Sequence, residues 1–155
     1  MMLTPAMAFV GASGASVRGA TPSAGDDCDR CEAAHDACRR RSADCASIGG
    51  SWDGRPKSKI CRDVVACVRR TRCASESATD SPSDCFCGRD ADIQACTARA
   101  LDALTGECRD IIAAGAESTN TLEIGTRFGD PSYALGLAMR VIQCDQRYCA
   151  RECAY

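Results

Sequence analysis

Fourteen cysteines stand against only 22 residues of Leu, Ile, Val and Phe in a chain of 155, and that ratio limits what the chain can fold into more than any motif does. The hydrophobic class reaches 45%, but 26 of its members are Ala and 14 are Cys. Large aliphatic and Phe side chains make up about one residue in seven, below the roughly 20% under which burial no longer offsets the entropy of ordering a chain. Cysteine at this density supplies the missing constraint, since a bridge typically stabilises by about 2–4 kcal/mol. The expectation is a thin core held by covalent staples through Cys28, Cys31, Cys38, Cys45, Cys61, Cys67, Cys73, Cys85, Cys87, Cys96, Cys108, Cys144, Cys149 and Cys153.

Thiols in this even number are rare in a reducing cytosol unless they hold metal, so export is the simplest reading. Residues 1–15 support it as a possible signal-like segment: an apolar run from Leu3 to Ala12 is followed by small residues, although no Lys or Arg precedes Arg18. The run is too short for a transmembrane segment. A lipid anchor would need a cysteine directly after a short apolar motif, whereas Cys28 follows Gly25-Asp26-Asp27. Residues 16–27, rich in Ser, Gly, Ala and Asp, read as a flexible lead-in, and residues 28–155 as one cysteine-rich helical domain. With 19 basic against 21 acidic residues, no field favours nucleic acid.

Cys28, Cys31, His35, Cys38, Ser42 and Cys45 alternate at three- and four-residue steps, one stripe of a helix over Asp29–Cys45. Ile48 to Pro56 carries Gly49-Gly50, Trp52 and Asp53-Gly54 and reads as a loop. A second helix from about Ser58 to Arg72 presents Ile60, Val64 and Val68 on one row. Cys61, Cys67 and Cys73 recur every six residues, so consecutive ones point about 120° apart. Two antiparallel helices across the 46–57 loop still suggest the nested pairs Cys45–Cys61, Cys38–Cys67 and Cys31–Cys73.

Further helices are expected over Asp90–Leu104 and Glu107–Ala116. Residues 109–143 have no cysteine, so conventional packing is expected there. Asp130-Pro131 reads as a helix start, opening a helix apolar over most of its circumference and therefore central, broken at Cys144-Asp145. Cys149 and Cys153 sit on a last short helix. Strand signals are nearly absent. The expected fold is all-α: a small disulfide-stapled bundle of about five to six helices with no sheet.

The framework from Cys85-Phe86-Cys87-Gly88 through Cys96, Gly106-Glu107-Cys108, Cys144-Asp145, Cys149 and Cys153 resembles a family of cysteine-rich exported bacterial proteins, some of them lipoproteins, over about the last 70 residues. That resemblance implies export and bridging. It brings no reaction, cofactor or partner.

Other chemistry has weaker support. Cys28-x-x-Cys31 lacks the preceding strand of a thioredoxin-like site, and Glu32 stands where haem attachment needs His. Cys85-x-Cys87 reads as a turn sending two cysteines to different partners. His35, the single histidine, is able to complete a Cys₃His site with Cys28, Cys31 and Cys38, but no second C-x₂-C exists, so a partly exposed helix histidine is expected. No G-x-S-x-G presents a nucleophile, Asp26-Asp27 and Asp90-x-Asp92 read as helix caps, and Arg69-Arg70-x-Arg72 as a solvated helix end. The leading expectation is an exported, non-enzymatic structural or binding module at the periplasm or cell surface, without cofactor, facing an unknown protein or cell-surface partner. Thiolate storage of Cu(I) or zinc is the alternative, and a thiol-disulfide oxidoreductase the third.

Overall fold

The computed structural model describes residues 24–74, 82–89, 92–153 and 155. The signal-like segment 1–15 lies outside the described residues, as does 16–23 of the expected lead-in. Among those described, eight helices and one two-stranded sheet follow in order: α1 Ala24–Ala34, α2 Asp36–Ser47, β1 Ser51–Trp52, β2 Arg55–Pro56, α3 Lys57–Thr71, α4 Asp84–Cys87, α5 Ile93–Thr97, α6 Arg109–Ala116, α7 Thr121–Arg127 and α8 Ala134–Tyr148. The fold is mostly helical, with more helices than the expected five to six.

The small sheet is a correction to the expected absence of strands. Ser51 pairs with Pro56 and Trp52 with Arg55. Asp53 and Gly54 both take positive φ, 48° and 70°, the two-residue hairpin turn that an Asp-Gly pair favours. Strands of two residues are too short to leave an alternating pattern.

The long helix expected over Asp29–Cys45 is two helices. His35 is extended (φ −104°, ψ 108°), and the break lets α1 leave the axis of α2. The lead-in also ends early, since α1 begins at Ala24. The helix expected over Asp90–Leu104 is reduced to α5 and a single 3₁₀ turn, Leu101–Ala103. Asp92 Oδ1 caps α5 by accepting from Gln94 N and Ala95 N at 2.8 and 2.9 Å. The Thr121 hydroxyl then lies within bonding distance of the Thr97 and Arg99 carbonyls, 2.9 and 2.7 Å away, so its one proton serves either of two acceptors that a longer helix would use internally.

Helix α8 packs against α3, α2, α6 and α1. Ten of its residues are buried, among them Leu135, Leu137, Met139, Val141 and Ile142, so the expected central helix is the centre of the core. It starts later than Asp130-Pro131 suggests: Tyr133 is the N-cap, while Asp130 Oδ1 accepts from Ser132 N at 2.9 Å in a turn before it. It also runs through Cys144-Asp145 to Tyr148. Cys149 leaves the helix (φ −131°, ψ 23°), and the expected last helix at Cys149–Cys153 is a turn, with Cys153 N donating to Cys149 O at 2.8 Å. Conventional packing extends outside 109–143, because Ile60, Val64 and Val68 of α3 and Phe86 of α4 are fully buried.

Seven disulfides join all fourteen cysteines. Cys45 pairs with Cys61, linking α2 to α3. The other two expected pairs are not formed: Cys38 joins Cys144 and Cys31 joins Cys149, with Cys28 joined to Cys153 beyond them. The six-residue step explains the difference. Cys61 faces α2, so Cys67 points about 120° round the helix, toward α6, where Cys108 receives it. Cys73 lies past the end of α3 and takes Cys85, while Cys87 takes Cys96.

Gly136 is where α8 meets the preceding turn, and a Cβ there would collide with the Asp130 carbonyl. Gly129 has nothing within 4 Å of a built Cβ. Gly136→Ala should therefore cost about 1–3 kcal/mol, as overpacking does, and Gly129→Ala less than about 0.5 kcal/mol. Urea unfolding with the bridges intact measures both.

Candidate functional site

Three elements bring charge into the interior at one place. Arg69, near the end of α3, turns inward between Glu32 of α1 and Asp145 of α8, correcting the solvated helix end expected there. Its Nε and Nη2 donate to Asp145 Oδ2 at 3.1 and 2.6 Å, and Nη2 also donates to Glu32 Oε1. The Ser42 hydroxyl of α2 donates to Glu32 Oε2 at 3.0 Å. Tyr155 closes the cluster from the carboxyl end, its hydroxyl 3.4 Å from Asp145 Oδ2. A planar guanidinium serves here because one fork holds two carboxylates on different helices.

Asp145 is fully buried, and among the described residues its Oδ1 has no hydrogen-bond partner. Burial pushes its carboxyl up to about 7, with Arg69 opposing and Glu32 adding to the rise. Burial also works against the charge on Arg69, but Asp145 and then Glu32 outweigh it and hold the guanidinium above its ordinary value. The Tyr155 phenol is raised, first by burial and then by the Asp145 charge. A cleft of about 210 Å³ adjoins the cluster, lined by Asp29, Glu32, Ser42, Arg62, Val65 and Arg69 among others. The two-carboxylate, one-guanidinium cluster ties α1, α3, α8 and the tail into one polar joint.

A second cleft lies between α2 and α8, where Arg40, Arg41 and Arg140 gather with Asp44 around about 590 Å³. Arg41 Nη1 donates to the Arg140 carbonyl at 3.0 Å.

The thiol motifs are dispersed. Cys28 and Cys31 do not pair with each other but with Cys153 and Cys149, and Cys85 and Cys87 go to Cys73 and Cys96. His35 is exposed, its ring stacked on Tyr148 with centroids 5.2 Å apart. It lies with Cys31 and Cys149, the three donor atoms within 4.8 Å of one another. The exposure fits the expected partly exposed histidine, and the group differs from the Cys28, Cys31, Cys38 and His35 set weighed against it, since Cys38 is not among these donors. Cys28, Cys153 and Asp145 form a second such group, wholly buried. Of the acidic pairs, Asp27 pairs with Arg30 at 2.9 Å, Asp92 caps α5, and Asp90 lies outside the described residues. The inward Arg69 and the single Asp145 on α8 carry no sequence signal beyond a charged residue at a core-facing helical position.

Asp145 gives the cluster a testable pH signature. In the unfolded chain its proton leaves near 3.8, and in the folded chain near 7. Between those values the folded state binds the extra proton, so this group's contribution is full below 3.8 and lost as pH rises toward 7. Urea midpoints measured with the bridges intact should show the native chain losing stability relative to Asp145→Asn across that window. Parallel curves for the two chains would contradict the assignment. No family model, curated protein or solved structure matches this chain.

Proposed function

We propose that this chain is an exported, disulfide-stapled helical module that acts by binding or as structure at the periplasm or cell surface, akin to the cysteine-rich exported bacterial proteins its framework resembles. The observation that carries this reading is that all fourteen cysteines are engaged in bridges. Seven disulfides are the chemistry of an oxidising extracellular environment. Three of them span 125, 118 and 106 residues of sequence, so they hold the fold together rather than decorate a loop. Among the described residues no helix is long and apolar enough to cross a membrane.

Storage of a soft metal by many thiolates needs free thiols, and oxidoreduction of the thioredoxin kind needs a C-x-x-C able to close on itself. Here Cys28 and Cys31 are committed to separate partners. The rigidly stapled surfaces of α1, α2 and α8 are what such a module offers to a partner.

The test is intact mass of protein purified without reductant, with alkylation in denaturant. The expected result is a mass fourteen hydrogens below the reduced chain and no alkylated thiol, one hydrogen being lost per bridged cysteine. Fourteen thiols with bound copper or zinc would replace this reading with thiolate storage. Two reactive thiols of depressed pKa would replace it with an oxidoreductase.

A further inference from the structure

Thirteen of the fourteen cysteines are buried, and Cys31 alone is half-buried. Its bridge to Cys149 is therefore the one that an outside reductant reaches. A cleft of about 650 Å³ beside it, lined by Asp27, Arg30, Cys31, Ala34, Arg151 and Glu152, gives access. The bridge is flanked on both sides. Cys28–Cys153 and Cys38–Cys144 join the same two stretches of chain, and their four cysteines are buried. Opening Cys31–Cys149 thus leaves its two cysteines held side by side.

His35 adds a third donor. It follows the last residue of α1, its N–H donating to the Cys31 carbonyl at 3.2 Å, and the stack on Tyr148, the residue before Cys149, orients its ring. The imidazole and both sulfurs lie within 4.8 Å of one another.

We propose that Cys31–Cys149 is a reducible clasp whose opening creates a Cys₂His site for one zinc-class cation. The reductant is a dithiol. One of its thiolates attacks Cys31 Sγ, the Cys31–Cys149 bond breaks, and Cys149 leaves as the thiolate. The second thiol resolves the mixed disulfide. Two electrons and two protons pass to the protein, and the dithiol becomes a cyclic disulfide. On metal binding, Cys31 and Cys149 release those two protons to water and their thiolates balance the dipositive charge. His35 supplies a neutral nitrogen, and water fills the remaining position. The sulfurs need to part only to about 3.8 Å, the edge of a tetrahedron with 2.3 Å bonds, which rotation about the two Cα–Cβ bonds provides.

The reading rests on the bridged state proposed above, and the first step of the test checks that state separately. The full chain, purified without reductant, is weighed and then titrated anaerobically with limiting dithiothreitol at neutral pH. Alkylation and peptide mapping should place the first two thiols at Cys31 and Cys149. After desalting, this form should bind one equivalent of Zn(II), and Co(II) in its place should give a thiolate-to-metal absorption band. Exposed His35→Ala should open as readily yet bind Zn(II) at least about tenfold more weakly. Another bridge opening first, no Zn(II) uptake by the two-thiol form, or unchanged affinity in His35→Ala would each overturn the proposal alone. A starting mass without the fourteen-hydrogen deficit would remove both this proposal and the module reading.

Discussion

The rest of the structure depends on the ladder of three disulfides that ties α1 and α2 to the end of α8 and the tail. Cys28–Cys153 closes 125 residues of sequence, and in a chain-entropy account a loop of that order removes about 4–5 kcal/mol of freedom from the unfolded chain. The next two rungs, Cys31–Cys149 and Cys38–Cys144, close only short additional rings once the first is in place. Their effect is geometric: they fix the direction of α1 and the register of α2 against α8. Register fixed in this way lets Ala-rich helices pack, since alanines at 134 and 138 bring α8 close to its neighbours without contributing much apolar area of their own.

The same joint accommodates buried charge. Glu32, Arg69, Asp145 and Tyr155 come from α1, α3, α8 and the tail, and the ladder holds three of those four segments together. A buried ionic group is poor evidence for stability, because desolvation consumes much of the Coulombic gain. In this packing Arg69 reaches both carboxylates at once. The Asp145 Oδ1, without a partner among the described residues, and the raised carboxyl record the cost of that arrangement.

The helical class, the central α8 and the apolar row of α3 were legible, since each rests on periodicity within one segment. Of the bridges only Cys45–Cys61 was legible, and the shorter Cys73–Cys85 and Cys87–Cys96 were not. Cys45–Cys61 spans 16 residues across one turn, whereas Cys38–Cys144 depends on where α8 lies relative to α2, which no spacing encodes. The rotation of Cys67 away from Cys61 was calculable, and its partner Cys108 was not. The break at His35 had no Pro or Gly to announce it. Two signals stand in the sequence: Asp53-Gly54 marks a hairpin, and Asn120 caps α7 by accepting from Leu122 N and Glu123 N. The buried polar joint was illegible, because Arg69 sits in a run of arginines that reads as a helix end.

Proteolysis under non-reducing conditions, followed by mass spectrometry of the cross-linked peptides, tests the ladder most directly. The structure requires peptides joining Cys28 to Cys153, Cys31 to Cys149 and Cys38 to Cys144. Peptides joining Cys38 to Cys67 or Cys31 to Cys73 would contradict it, placing α1 and α2 in a hairpin with α3 alone and leaving α8 unheld.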